Sequence, residues 1–274
     1  MNADYWLERW KREETAFHQE EVNPYLRQYW RELHLSPDSP VFVPLCGKSF
    51  DIAWLREQGH PVLGVELSRL AVEAFFVENG LTPKRISAER FDRYEAEGIR
   101  ILCGDFFDLD KADLADIAAV YDRGALVALP PETRKRYVAH LLDILPMPTA
   151  LAFASPAPSV PSAIQTLLVT LDYPAGEMEG PPFAVSAEEV EALYHEYDGR
   201  ADIRLVMQRD VLEESPRFQE RGLSRLVESV FLLKLTSSRH PDRLISRASG
   251  NEEQKRKVME KNHGRFVPFC AQRF

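Results

Sequence analysis

Residues 41–68 read VFVPLCGKSFDIAWLREQGHPVLGVELS, and the order of their parts decides the fold. Residues 41–45 are a short apolar run of the kind that becomes a buried parallel strand. Cys46, Gly47, Lys48 and Ser49 make a tight turn whose hydroxyl can cap a helix. Ile52, Trp54 and Leu55 give that helix an apolar stripe, and Gly59 ends it. Residues 61–65 read as a second strand, with Glu66 at its carboxyl end, about twenty residues past the turn. An acid at that place accepts hydrogen bonds from ribose hydroxyls. The unit predicts a βαβ fold that binds an adenosine-containing cofactor.

The turn holds only Gly47 where a G-x-G-x-x-G fingerprint has three glycines, so the reading rests on the order of elements. Gly47, Lys48 and Ser49 also look like the end of a phosphate-binding P-loop. The glycine that motif needs five residues earlier is Phe42, which argues against it.

Working outward, residues 1–34 predict one or two amphipathic helices rich in aromatics, interrupted at Asn23 and Pro24. Residues 69–79 predict a helix ended by Gly80, and residues 131–145 a helix with Pro131 at its start. Strands are predicted at 99–103, 117–121 and 167–171. Strands alternating with helices mean an α/β fold with a doubly wound, mostly parallel sheet. Residues 203–211 and 226–235 add an antiparallel pair at one edge. Residues 146–166, rich in Pro, Ala and Ser, are too long for an ordinary helix-to-strand connection. Residues 236–274 are polar and carry nine Lys/Arg against four Asp/Glu, the composition of a basic, largely disordered extension.

The chain has 274 residues, room for one sizeable domain with additions. A net charge of −9 argues against a nucleic-acid partner. No apolar run approaches the length of a membrane span, and the N-terminus, MNADYWLERWKREE, has no signal-peptide core. Cys46, Cys103 and Cys270 show neither a pairing framework nor metal-ligand spacing, which fits a reducing cytoplasm and no metal site.

Several segments together resemble the thiopurine S-methyltransferase family in its bacterial branch. They are Trp6 and Trp10 as W-x-x-x-W, AFHQ and VNP within 16–24, VPLCGKS at 43–49, and VELS at 65–68. LCGDFF at 102–107, YDRGALVALPP at 121–131, LLVTLDY at 167–173, GPPF at 180–183 and ESPRF at 214–218 follow in order. The resemblance implies a Rossmann-like class I methyltransferase with an N-terminal helical lid, using S-adenosyl-L-methionine, and a monomer. It implies aromatic and heterocyclic thiols such as thiopurines as acceptors, with selenium and tellurium compounds for bacterial members. Against the family pattern, residues 146–166 look like an insertion and 236–274 an addition to a domain spanning 1–235.

The resemblance also assigns roles. Glu66 is the ribose-binding acid, and Leu45 brings its backbone to the cofactor. Trp10 contacts the cofactor, where an aromatic face suits a sulfonium cation. Phe17 is a substrate-side aromatic. Asp105 and Phe106 contact the adenine end, although Asp105 also reads as a helix cap. Arg123 lies by cofactor and substrate, the alternative being a salt bridge to Asp122 or a neighbour. Arg217 is a second, substrate-side candidate. His18 reads better as a packed residue than as a general base, and Cys46 as a buried small residue than as a nucleophile. Two other functions are open: an inactive S-adenosylmethionine-binding protein, and a nicotinamide-dependent oxidoreductase on a similar fold.

Overall fold

Strand β1 (Val41–Val43) is central, and the chain winds away from it in both directions. The computed structural model describes residues 3–15, 18–147, 163–195 and 201–236. The remaining strands are β2 (Val62–Glu66), β3 (Lys84–Ile86), β4 (Asp92–Ala96), β5 (Ile99–Cys103), β6 (Ala119–Arg123), β7 (Ile164–Asp172), β8 (Ala201–Asp210) and β9 (Val227–Leu235). Their order across one sheet is β3-β4-β5-β2-β1-β6-β7-β9-β8. β1 pairs in parallel with β2 on one side and β6 on the other, so the strand order reverses at β1. Open α/β sheets bind ligands at that reversal, beyond the carboxyl ends of the strands.

The helices are α1 (Ala3–Lys11), α2 (Pro24–Tyr29), α3 (Phe50–Glu57), α4 (Arg69–Glu78), α5 (Ala125–Ala128), α6 (Pro131–Ile144), α7 (Ala187–His195) and α8 (Pro216–Glu220). Alternate β1 side chains feed two cores. Phe42 packs in one with Val120, Tyr137 and Leu141. Val41 and Val43 pack in the other with Leu26, Trp30, Ile52 and Phe75. That two-residue alternation, apolar on both faces, is what a strand covered by helices on both sides requires. The N-terminal segment is tied down by Asp51, which is buried. Its carboxylate accepts the Asn23 amide N–H at 2.8 Å and the Tyr121 hydroxyl at 2.9 Å.

The α/β architecture agrees with the sequence reading, and the differences are local. β9 lies between β7 and β8, antiparallel to both. A second antiparallel edge, β3 and β4, went unforeseen because both strands are short and mostly polar. β7 starts at Ile164, and Gln165 and Thr166 pair with Ala119 and Val120. Residues 164–166 therefore belong to the sheet, although the polar Gln165 and Thr166 separate Ile164 from the apolar run that follows and hide the strand's start. α7 was missed although Ser186 accepts the Glu189 amide at 3.2 Å, the first half of a capping box. Residues 148–162 of the expected insertion, and 237–274 of the expected extension, lie outside the described residues.

Candidate functional site

A cavity of about 420 Å³ opens at the carboxyl ends of β1, β2, β6 and β7. Its floor is the first strand-to-helix turn. Leu45 adopts a left-handed backbone with φ of 46°, and Gly47 follows with φ of 54°. Cys46 then packs onto β2 at Gly64, where a Cβ would lie 2.7 Å from the cysteine sulfur. A glycine at 64 thus lets the turn close over β2. Closure brings the Gly47 N–H to Glu66 Oε2 at 2.9 Å, while the Ser68 N–H donates to Oε1 at 2.7 Å. Glu66 is 7% exposed. Burial pushes its carboxyl pKa up, against the opposing pull of the Ser68, Gly47 and Leu67 amides.

Trp10 of α1 lies over this turn, its indole 3.5 Å from where a Gly47 Cβ would be. Asp105 is exposed and Oδ1 accepts the Phe107 N–H at 2.9 Å, so the capping role is real. Phe106 is buried, its ring centroid 4.8 Å from that of Tyr137. Arg123 ends β6, and the salt bridge to Asp122 does not form. Asp122 points to the opposite face, where it accepts the Tyr137 hydroxyl at 2.6 Å and the Leu126 N–H at 3.2 Å. Arg123 makes no ion pair among the described residues. Leu45, Glu66, Trp10, Asp105, Phe106, Arg123 and Arg217 all line the one cavity. Phe17 lies outside the described residues.

His18 also lines the cavity, beside Phe50 at 5.6 Å between ring centroids. Burial first, then the Lys48 charge, lowers its pKa, which suits a packed neutral ring. Burial holds the Cys46 thiol well above its usual pKa, an inert state for a nucleophile. Among the wall residues that the sequence reading did not single out are Arg9, Thr170 and Glu228. Arg9 had a signal, since it stands one helical turn after Trp6 and on the same face. Thr170 and Glu228 had none, because only the pairing of β7 with β9 brings them to the mouth. Among the described residues no His, Cys, Asp and Glu cluster suits a metal ion, and no helix is long and apolar enough to cross a membrane.

The family model of thiopurine S-methyltransferase (TPMT) matches residues 1–236. The chain belongs to the thiopurine S-methyltransferase family. A thiopurine S-methyltransferase of Nitrosospira multiformis is 60% identical over 233 residues, covering 85% of this chain and 98% of that protein. One from Azotobacter vinelandii is 47% identical over 234 residues, covering 85% and 99%. Among solved structures, a 1,6-didemethyltoxoflavin-N1-methyltransferase of Burkholderia thailandensis with bound S-adenosylhomocysteine superposes with a TM-score of 0.54. It is 16% identical and covers 86% of this chain and 87% of that one. At that identity the likeness speaks for the fold, which is that of class I methyltransferases.

In this thiopurine S-methyltransferase family member, the buried Asp122 gives the fold's stability a pH signature. Burial raises its carboxyl from 3.8 to about 6. The folded state then holds this proton more tightly than the unfolded chain, so the stability it adds is present at low pH and lost as pH rises through about 6. Lowering the pH from 7 to 5 should therefore add about 1 kcal/mol to wild type relative to Asp122→Asn. Urea unfolding of both proteins at the two pH values checks it.

Proposed function

We propose that this methyltransferase moves the methyl group of S-adenosyl-L-methionine to the sulfur of an aromatic or heterocyclic thiol, thiopurines among them, by direct in-line displacement. S-adenosyl-L-methionine-dependent methylation is the chemistry that the family and fold support. The observation that carries the reading is the convergence of Glu66, Asp105, Trp10 and Arg123 on one cavity at the strand-order reversal. When bound, S-adenosyl-L-methionine supplies an electrophilic methyl group on a sulfonium cation.

The walls fit such a donor. The Glu66 carboxylate, fixed by two amides, receives the ribose hydroxyls. Asp105 takes the adenine amine, Phe106 gives the ring an apolar wall, and the Leu45 backbone approaches the cofactor. Trp10 faces the cation and keeps water out. Arg123 favours the thiolate form of the acceptor or holds the methionine carboxylate. Phe17 and Arg217 complete the acceptor side. A heteroaromatic thiol ionises near neutrality, so positioning does the work of a strong base. The same soft-nucleophile chemistry extends to selenium and tellurium compounds. Free Cys46 and Cys103 suit a reducing cytoplasm.

Incubation with the donor and a thiopurine, an arenethiol, a phenol and an aniline tests this. Methyl sulfides alone should form; methylation confined to the phenol or aniline, or no methylation, would contradict it. Trp10→Leu separates cation attraction from packing. Cation–π attraction of about 0.5–2 kcal/mol predicts roughly 2- to 30-fold weaker S-adenosyl-L-methionine binding, with a smaller loss for uncharged S-adenosylhomocysteine, by calorimetry.

A further inference from the structure

Glu228 and Arg123 line the cavity from the same face of the sheet. Arg123 pairs with Val169 on β7, and Val169 with Val230 on β9. Glu228 stands two residues from Val230, opposite Leu171. Paired residues, and residues two apart on one strand, share a face. Two strand spacings across and two residues along put the Arg123 and Glu228 backbones about 12 Å apart. Val169 and Leu171 line the cavity between them. The slot therefore has an apolar floor, a guanidinium at one end and a carboxylate at the other.

On the reading above, the donor stops short of this slot. Glu66 on β2 and Arg123 on β6 flank β1, so a donor held by its ribose at Glu66 extends toward Arg123, and β7 and β9 continue past it. Glu228 is held in place from behind. Its Oε2 accepts the hydroxyl of Tyr25, on α2, at 2.6 Å. Burial, then the bond to Glu228, pushes the Tyr25 hydroxyl up to about 12, so it stays a donor at neutral pH. The Glu228 carboxylate makes no other hydrogen bond among the described residues, which leaves Oε1 to accept from a ligand. The floor suits a flat ring, and the two charges set its direction. A thiolate is drawn to Arg123 and repelled by Glu228, so the far edge of the ring meets the carboxylate. A ring N–H at that edge is what a carboxylate oxygen accepts.

We propose that Glu228 is an acceptor-recognising residue, whose carboxylate accepts a hydrogen bond from a ring N–H of a heteroaromatic thiol while the thiolate points to Arg123. The inference rests on the methyltransferase reading and deepens it, naming N–H-bearing heterocycles as the favoured acceptors. Glu228 takes no proton and forms no covalent bond; it orients the ring.

The test compares 2-mercaptobenzimidazole, whose thiolate keeps a ring N–H, with 2-mercaptobenzothiazole, which is close in shape and whose thiolate has none. Dividing a variant's kcat/KM ratio for the two thiols by that of wild type cancels their different acidities. A hydrogen bond to a charged group is strong enough that Glu228→Met should lower the benzimidazole-to-benzothiazole ratio at least tenfold. Glu228→Gln keeps an oxygen for Tyr25 and turns its amide N–H toward the ring, so the ratio should fall at least threefold. That variant carries the test if Glu228→Met does not fold. Tyr25→Phe separates recognition from packing: it removes the same hydroxyl contact but leaves the carboxylate, and the ratio should stay within threefold of wild type. A ratio unchanged in both Glu228 variants, or lowered as much by Tyr25→Phe, would overturn the inference and assign Glu228 to anchoring α2. If wild type methylates neither thiol, the methyltransferase reading falls and this inference with it; turnover of both thiols with an unchanged ratio removes only the latter.

Discussion

Glu66→Ala should bind S-adenosyl-L-methionine about a hundredfold more weakly than wild type. Hydrogen bonds to a charged group contribute about 1.5–3 kcal/mol each, and a ribose offers two hydroxyls. Incomplete additivity brings the loss to about 3 kcal/mol, roughly a hundredfold. The variant also frees the Gly47 and Ser68 amides that now point at the carboxylate, loosening the turn that receives the donor. Glu66→Gln is no remedy, because one side of its amide would turn N–H groups toward one of those N–H donors. The effect has a pH signature. The ribose binds the ionised form, and burial raises the Glu66 pKa, so affinity should fall on acidification sooner than for an exposed glutamate. That dependence should vanish in Glu66→Ala. Titration calorimetry at several pH values reads both effects; an unchanged affinity would remove the ribose contact from the account.

Arg123→Ala should lower kcat/KM for a thiol roughly ten- to hundredfold, the worth of one charged hydrogen bond in a sheltered site. Donor affinity should change less than about threefold if Arg123 serves the acceptor. Asp122 is already engaged by Tyr137 and Leu126, so removing the arginine strands no buried partner. The loss should therefore appear in kinetics and not in stability. Thiols of graded acidity sharpen the test. A guanidinium that favours the thiolate matters most for weakly acidic thiols, so the loss should grow with thiol pKa. A loss equal for all thiols, with weakened donor binding, would assign Arg123 to the methionine carboxylate instead.

Much of this cavity's lining was legible in the sequence, because the half beside β1 and β2 is built locally. Val41 to Glu66 contain strand, turn, helix, strand and acid within 26 consecutive residues, and each strand end delivers one wall residue. Asp105 and Arg123 sit at or just past the ends of β5 and β6, and short loops hold them there. The opposite half is assembled from distant parts. Arg9, Thr170, Arg217 and Glu228 share a cavity only after β7 pairs with β9 and α1 settles over the turn. Local periodicity says nothing of such partners. The left-handed Leu45 was equally hidden: nothing in an apolar run ending in leucine announces a positive φ, which here comes from closing the turn onto Gly64. The β3–β4 edge failed for another reason. Its alternation is carried by Arg85, Arg93 and Tyr94 and by few aliphatic residues, so it looks like a loop.

A single-turnover experiment tests the central claim most directly. Wild-type protein would be mixed with stoichiometric methyl-labelled S-adenosyl-L-methionine and a heteroaromatic thiol. S-adenosylhomocysteine and the labelled methyl sulfide should appear together, one for one. Tight donor binding with no labelled sulfide, or a cavity that takes NAD in preference to S-adenosyl-L-methionine, would contradict the account.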